Sequence, residues 1–210
     1  MIEVDYIKFA FNINSENSYL VWDSNEAIVI DPGSAKEVYQ IKNKLEELGL
    51  KLKYIINTHS HFDHIGGNQF LKNNFNVKLG ISKKESKNLV DPDKNLSSYM
   101  GTIIKSPGAD FYFESKDTIN LGNDKLDIIY CPGHSQGSIA LYNDKNGLLF
   151  SGDTIFKNGV GRTDLPGGNV DELRKSINKL VELPDNTCVL PGHGPKTTIK
   201  DFKEYYFKDQ

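Results

Sequence analysis

With 210 residues, 38% of them hydrophobic and 10% aromatic, the chain has enough apolar surface for one sizeable core, and a single domain spanning 1–210 is the expectation. Its 25 basic and 28 acidic residues sum to a net charge of −3, which leaves no surplus of cations to neutralise a phosphate backbone and argues against nucleic acid as a partner. No stretch approaches the roughly 20 apolar residues of a membrane span, and residues 1–14 alternate charged and apolar side chains instead of forming a secretion signal, so a cytoplasmic protein with no membrane partner is expected. Cys131 and Cys188 are the only cysteines, too few for a disulfide framework and without the short paired spacing of a zinc knuckle; both read as buried thiols at strand ends.

In chain order, short apolar runs predict strands at Tyr19–Trp22 and Ala27–Ile30. A helix is predicted over Ser34–Gly49, where Ser34 and Glu37 have capping-box spacing, Val38, Ile41, Leu45 and Leu48 share one face, and Gly49 is the stop. A strand at Tyr54–Ile56 follows, then helices beginning near Gly67 and near Ser82, the latter with Glu85 in box spacing. The stretch Asp91–Ser115 has no periodicity and carries Pro92, Gly101, Pro107 and Gly108, so it reads as a long loop of the kind that forms lids. A β-rich middle from Thr118 to Phe150 holds strands at Leu126–Tyr130, Ile139–Tyr142 and Leu148–Phe150. A helix from Asn169 has Val170, Leu173, Ile177 and Leu180 on one face, and a strand at Cys188–Leu190 precedes a last helix from Thr198. Strands and helices mixed along the whole chain fit two packed sheets with helices outside. The tripeptide Pro-Gly-His occurs at 132–134 and again at 191–193, each after an apolar strand, as two related halves would show.

All five histidines, His59, His61, His64, His134 and His193, sit just after predicted strands in turns rich in Gly or Asp. One histidine so placed is usually structural; five together are not. In Thr58-His59-Ser60-His61-Phe62-Asp63-His64-Ile65-Gly66-Gly67, residues two apart on extended chain point the same way, so His59 and His61 can face one ion. A turn into helix near Asp63 would redirect Asp63 and His64 toward a second ion, and Gly66 and Gly67 remove Cβ atoms that would crowd neighbouring backbone. His134, Asp153 and His193 end other strands, and a carboxylate such as Asp153 can bridge two cations about 3.5–4 Å apart. Imidazole with carboxylate suits zinc, iron or manganese better than a soft, thiolate-binding ion, and two divalent ions, zinc first among them, are expected.

Carried by Asn17–Val21, Ile30–Gly33, His59–Gly67, Pro132–Ser138, Ser151–Phe156, Val160–Gly168 and Pro191–Gly194, the sequence resembles the metallo-β-lactamase superfamily, and within it the glyoxalase II-like (hydroxyacylglutathione hydrolase-like) branch. The resemblance implies an α/β architecture, a four-layer αββα sandwich with metals at one edge between the sheets. It also implies that His59, His61 and His134 bind a first ion, that Asp63, His64 and His193 bind a second, and that Asp153 bridges them. Only residues 194–210 follow His193, so the C-terminal helical domain with which glyoxalase II binds glutathione is not expected. Arg162, one of only two arginines, either grips an anionic substrate group or pairs with Asp164 or another carboxylate.

The chemistry expected is hydrolysis of a small molecule. Two ions lower the pKa of a shared water from 15.7 to about 7, giving a hydroxide that Asp63 and Asp153 orient through the metals. With every histidine committed, no imidazole remains to protonate a leaving group, and a thiolate with pKa near 8.5 needs none. A hydroxyacyl-thiol or related thioester is therefore the expected substrate. The rivals are a mononuclear iron persulfide dioxygenase, using His59, His134 and Asp153, and a lactonase or other ester hydrolase. A closed structural zinc site would favour cysteine ligands instead.

Overall fold

The computed structural model describes residues 4–11 and 15–208. Its first half runs β1 (Asp5–Ala10), β2 (Asn17–Asp23), β3 (Glu26–Ile30), α1 (Tyr39–Glu47), β4 (Lys51–Ile56), α2 (Phe62–Ile65), α3 (Asn68–Asn74), β5 (Lys78–Ser82) and β6 (Phe111–Phe113). These six strands form one sheet in sequence order, with β1, β2 and β3 antiparallel and β3 to β6 parallel. The second half runs β7 (Thr118–Leu121), β8 (Asp124–Tyr130), β9 (Ile139–Asn143), β10 (Leu148–Gly152), the small hairpin β11 (Ile155–Phe156) and β12 (Gly159–Val160), α4 (Val170–Leu180), β13 (Cys188–Pro191), β14 (Thr197–Thr198) and α5 (Ile199–Tyr206). Its main sheet has the order β14-β13-β10-β9-β8-β7.

The inner strands β3, β9 and β10 are largely apolar runs because the sheets are buried on both faces there. Alternation then sorts their residues between layers. Val21, Ile28, Ile30 and Ile56 of the first sheet meet Ile128, Leu141 and Phe150 of the second in a core between the sheets. Their neighbours Leu20, Val29 and Ile55 face outward onto Val38, Ile41 and Leu45, before and within α1, and onto Leu71 of α3. On the far side, Ala140, Leu149 and Val189 pack under Leu173, Ile177 and Leu180 of α4 and Phe202 of α5. The result is the expected αββα sandwich. No helix among the described residues is long and apolar enough to cross a membrane.

The predicted strands all form, each lengthened by one to three residues. The helix ends show where local chemistry decided. Asn169 caps α4, its side chain accepting from the Asp171 and Glu172 N–H groups, and Thr198 caps α5 through the Asp201 N–H. At α1, regular helix starts at Tyr39 and residues 35–38 form turns, in which the Ser34 carbonyl takes the Glu37 and Val38 N–H groups at 3.1 and 3.0 Å and the Ser34 hydroxyl oxygen accepts the Lys36 N–H at 3.3 Å. Leu48 is exposed, outside the face assigned to it. Gly49, at φ +63°, closes this helix with the Leu50 N–H on the Leu45 carbonyl and its own N–H on the Glu46 carbonyl, a Schellman ending.

Two expectations are corrected. No helix follows Ser82: residues 83–90 form turns, since Glu85 points inward to bonds described below and is lost as a cap. The Asp91–Ser115 stretch is not loop throughout, for its Phe111–Phe113 pairs with β5 as an edge strand too short to show periodicity. The two Pro-Gly-His turns differ in backbone conformation, with Gly133 at φ +137° and Gly192 outside the positive-φ region. The two cysteines are free, Cys131 buried with its thiol pushed up to about 12 by desolvation, and Cys188 half-buried.

Phe150 is central to the core between the sheets, edge-on to Tyr19 at 5.2 Å and Tyr6 at 6.2 Å between ring centroids. Phe150→Ala is expected to lower unfolding free energy by about 3–5 kcal/mol, measured by urea denaturation; a loss under 1 kcal/mol would show that the sheets do not depend on this contact.

Candidate metal centre

Strands β8 and β10 are both antiparallel to β9, and β10 is parallel to β13, so all three run the same way. Their carboxyl ends therefore open at one edge, and the turns that follow carry His134, Asp153 and His193. Across the gap, the chain leaving β4 carries His59 and His61. His61 sits extended at φ −63°, ψ 147° at the start of α2, and the turn into that helix carries Asp63 and His64. Cβ atoms at Gly66 and Gly67 would lie 2.5 Å from the Gly33 carbonyl oxygen and 2.4 Å from that of Pro32, so the glycines permit the approach of the β3 turn.

The structure brings all seven predicted side chains together. Ligand atoms of His59, His61 and His134 lie within 4.8 Å of one another, as do those of Asp63, His64 and His193. Asp153 stands between the groups: its Oδ1 is 3.6 Å from His64 Nε2, and its Oδ2 is 3.5 Å from His134 Nε2 and 3.4 Å from His193 Nε2. Five of the seven are buried, while Asp63 and His193 are half-buried on the open side.

Hydrogen bonds behind the rings decide which nitrogens face inward. The Arg162 carbonyl can only accept, so His134 donates its Nδ1–H to it at 2.9 Å and turns a bare Nε2 to the centre. Asp31 Oδ2 accepts the Thr58 hydroxyl at 2.7 Å and the His64 Nδ1–H at 3.0 Å. With the hydroxyl proton so used, Thr58 Oγ1 accepts from His59 Nδ1 at 3.0 Å. One carboxylate therefore sets two histidine tautomers, both presenting Nε2 lone pairs inward. Those inner nitrogens crowd the other two rings: His134 Nε2 is 2.9 Å from His61 Nδ1 and His64 Nε2 is 3.3 Å from His193 Nε2. His59 Nε2 and Asp153 Oδ1 are buried with no hydrogen-bond partner. Converging lone pairs, orphaned buried acceptors and a mixed imidazole and carboxylate donor set are what divalent cations require. Asp31 also clusters with His59 and His64, but it meets His64 at Nδ1, behind the ring, and acts as support.

Charge tells the same story. Burial, reinforced by neighbouring imidazoles, holds the His59 and His61 pKa values well below the ordinary histidine range. Burial opposes ionisation of Asp153, yet the imidazoles around it, His64 foremost, hold its carboxyl well below the carboxylate range. Burial likewise opposes a charge on His64, but Asp153 and Asp31 outweigh it and raise the ring well above its ordinary value. The buried carboxylates of Asp153 and Asp31 thus favour positive charge at this edge.

Above the centre lies a cavity of about 760 Å³. Arg162 lines it, bound through Nε and a terminal nitrogen to both Asp164 oxygens at 2.8 and 2.6 Å, the second of the two settings its sequence left open. Leu96, Tyr99 and Met100 from the Asp91–Ser115 stretch also line it. The model of the metallo-β-lactamase superfamily matches residues 12–193. The chain belongs to that superfamily. Among its members, the probable metallo-hydrolase YqgX of Bacillus subtilis is 36% identical over 87% of each chain. The hydroxyacylglutathione hydrolase GloC of Haemophilus influenzae is 33% identical over 88% of each. The crystal structure of the B3 metallo-β-lactamase BLEG-1 superposes with a TM-score of 0.92 at 33% identity, covering 98% of this chain and 100% of the other. That of TTHA1623 in a di-iron-bound form gives 0.82 at 31% identity, covering 92% and 95%.

Sequence reasoning missed the supports of this metallo-β-lactamase centre. Asp31 was visible only as an Asp in a strand-ending Ile-Asp-Pro-Gly turn. Its backbone is left-handed, at φ +49°, a conformation tolerated here because Thr58 and His64 hold the side chain. Glu85 was misread as a cap, yet its buried carboxylate accepts the Ser60 hydroxyl, between two histidines, and the Gly137 N–H at 2.8 Å, three residues past His134. It thereby clamps the loops of the His59, His61 and His134 group. Asn17 binds the His193 turn through its backbone N–H on Gly192 and its side-chain amide on Pro191 and Gly194, and the Tyr19 hydroxyl donates to Pro191 at 2.7 Å.

Asp31→Asn keeps the shape but places a donor against groups that themselves donate. Zinc affinity, measured by chelator competition, is expected to fall about 10- to 100-fold; unchanged affinity would show that Asp31 does not set the histidine tautomers.

Proposed function

We propose that the centre holds two divalent metal ions, His59, His61 and His134 on one, Asp63, His64 and His193 on the other, with Asp153 between, and that the protein is a thioesterase. The observation carrying this reading is that Asp153 touches both histidine groups while no histidine is left over. When bound, two such ions supply the charge that ionises water near neutral pH and polarises a carbonyl. Asp153 and Asp63 then orient the nucleophile, and the half-buried Asp63 and His193 mark the side open to substrate.

The walls of the cavity support a good leaving group. Asp164 lines it but is held at about 2 by Arg162, so it is an anion and no acid at neutral pH. Arg162 keeps its proton. The Tyr99 hydroxyl is on a solvent-exposed side chain at the rim. A thiolate departs without help from any of these, an amine does not. The similarity to GloC, a hydroxyacylglutathione hydrolase, supports a thioester, and the di-iron-bound form of TTHA1623 supports two metals. Zinc is proposed as sufficient, with iron or manganese able to occupy the same donors, and the substrate as a small molecule met in the cytoplasm.

Protein purified without chelator is expected to carry close to two metal ions per chain. His193→Ala should empty mainly the Asp63 and His64 side, and Asp153→Ala should weaken both; equal loss in the two variants would remove Asp153 from its bridging place. Zinc-reconstituted apoprotein is expected to hydrolyse S-lactoyl or S-acetyl thiols under strictly anaerobic conditions, with activity lost in acid as imidazoles protonate and release metal. Zinc protein inert to every thioester, beside iron protein that consumes oxygen with a persulfide, would overturn the reading in favour of a mononuclear iron dioxygenase; lactone or β-lactam turnover without thioester turnover would make it another hydrolase.

A further inference from the structure

We propose that the substrate carries an uncharged, apolar arm that lies against the Leu96–Ile103 flap over the metal centre. This rests on the thioesterase reading for the bond that is cut, but the arm is argued from the flap and cavity alone.

Tyr99, Met100 and Ile103 are 72%, 60% and 70% exposed, and no other stretch of the described residues gathers three large exposed hydrophobics within five positions. Such a patch on a surface marks something that covers it. Its place says what. Tyr99 and Met100 line the cavity together with the apolar side chains of Leu96, Phe62, Phe156, Val160, Leu165 and Pro166, while Ile103 lines the adjoining cleft.

The flap is built at its base. Asn95 and Ser97 are fully buried. The Asn95 carbonyl accepts the Phe62 N–H at 2.9 Å, its side chain donates to the Ile104 carbonyl at 2.8 Å and accepts the Ser97 N–H at 3.0 Å, and the Ser97 hydroxyl oxygen accepts the Ile104 N–H at 3.1 Å. Both strands of the flap are thus tied to each other and to the start of α2. Leu96, between the two anchors, is held at φ +68°, a left-handed backbone that a bulky residue adopts only when its surroundings impose it. The imposed turn sends Leu96 into the cavity wall and presents Tyr99 and Met100 at the rim.

Charge excludes the alternative occupant. Apart from the histidines and aspartates of the centre, the charged lining of the cavity is Arg162 and Asp164, already paired with each other. A thiol with two carboxylates, such as glutathione, finds no unpaired cation on these walls. An adjoining cleft that shares Phe62, Asp63 and Met100 as walls has Lys36 at its rim, and this is the one place an anion could turn to among the lining residues of the two.

The test uses zinc-loaded full-length protein and thioesters lengthened one methylene at a time in the acyl arm or in an alkyl thiol arm, with S-lactoylglutathione as the anionic comparison. Non-hydrolysable thioethers of the same series are measured by calorimetry. In at least one arm, kcat/KM and thioether affinity are expected to rise up to about fourfold per methylene buried, and the best neutral ester should exceed S-lactoylglutathione at least tenfold. Met100→Ser and Tyr99→Ser, on the exposed tip, should flatten the length dependence with metal content unchanged. Lys36→Ala should leave the ranking as it is. Hydrolysis with no length dependence in either arm, preference for the glutathione ester, or loss of that ester's turnover alone in Lys36→Ala would overturn the inference while leaving the thioesterase reading standing. Length-dependent thioether binding that Met100→Ser abolishes, in a protein that cuts no thioester, would sustain the apolar arm and overturn the thioesterase.

Discussion

Everything in this molecule is arranged around lone pairs that would rather be apart. Five imidazoles and a buried carboxylate are drawn to one edge, and water that would normally satisfy them is excluded from most of them. In isolation such a cluster is repulsive, and its donors are stabilised only by positive charge placed among them. The fold holds them together in advance: the Thr58 hydroxyl, Asp31 and the Arg162 carbonyl claim the outer nitrogens of His59, His64 and His134 respectively, and turn the inner ones to the centre. Preorganisation of this kind shifts the ordering cost from binding to folding.

Folding can bear that cost because the two sheets are rigid supports. Their inner strands are buried on both faces, and every turn that carries a ligand leaves a strand with residues packed into the cores. The apolar flap follows the same logic, with a hydrogen-bonded base and exposed side chains at its tip.

Much of this was legible in the sequence. The His59–His64 spacing announces its geometry because strand and helix periodicities place donors independently of the rest of the chain. Strands such as Ala27–Ile30 and Leu148–Phe150 were readable because double burial makes them uniformly apolar. What stayed hidden depends on contacts far along the chain. Asp31 reaches Thr58, and Glu85 reaches Gly137, 52 positions away; nothing local distinguishes Glu85 from a helix cap. β1 was hidden by its partly exposed residues, and Phe111–Phe113 by its length. Leu96 carried no sign that its backbone would be left-handed, since tertiary anchors, not its own preference, impose that turn.

The grip of Asn17 on the turn holding His193 joins residues 174 apart, and Glu16 forms a backbone bridge with His193 itself. An enzyme made amino-terminus first therefore cannot complete its centre early. While the ribosome still holds the last strand and helix, the first sheet already offers His59, His61, Asp63 and His64, but lacks the residue that closes the pair. A chain that stops short of His193 keeps the His59, His61 and His134 group but leaves the Asp63, His64 and His193 group without its third member. Completion of that second group is thus tied to the arrival of the last strand.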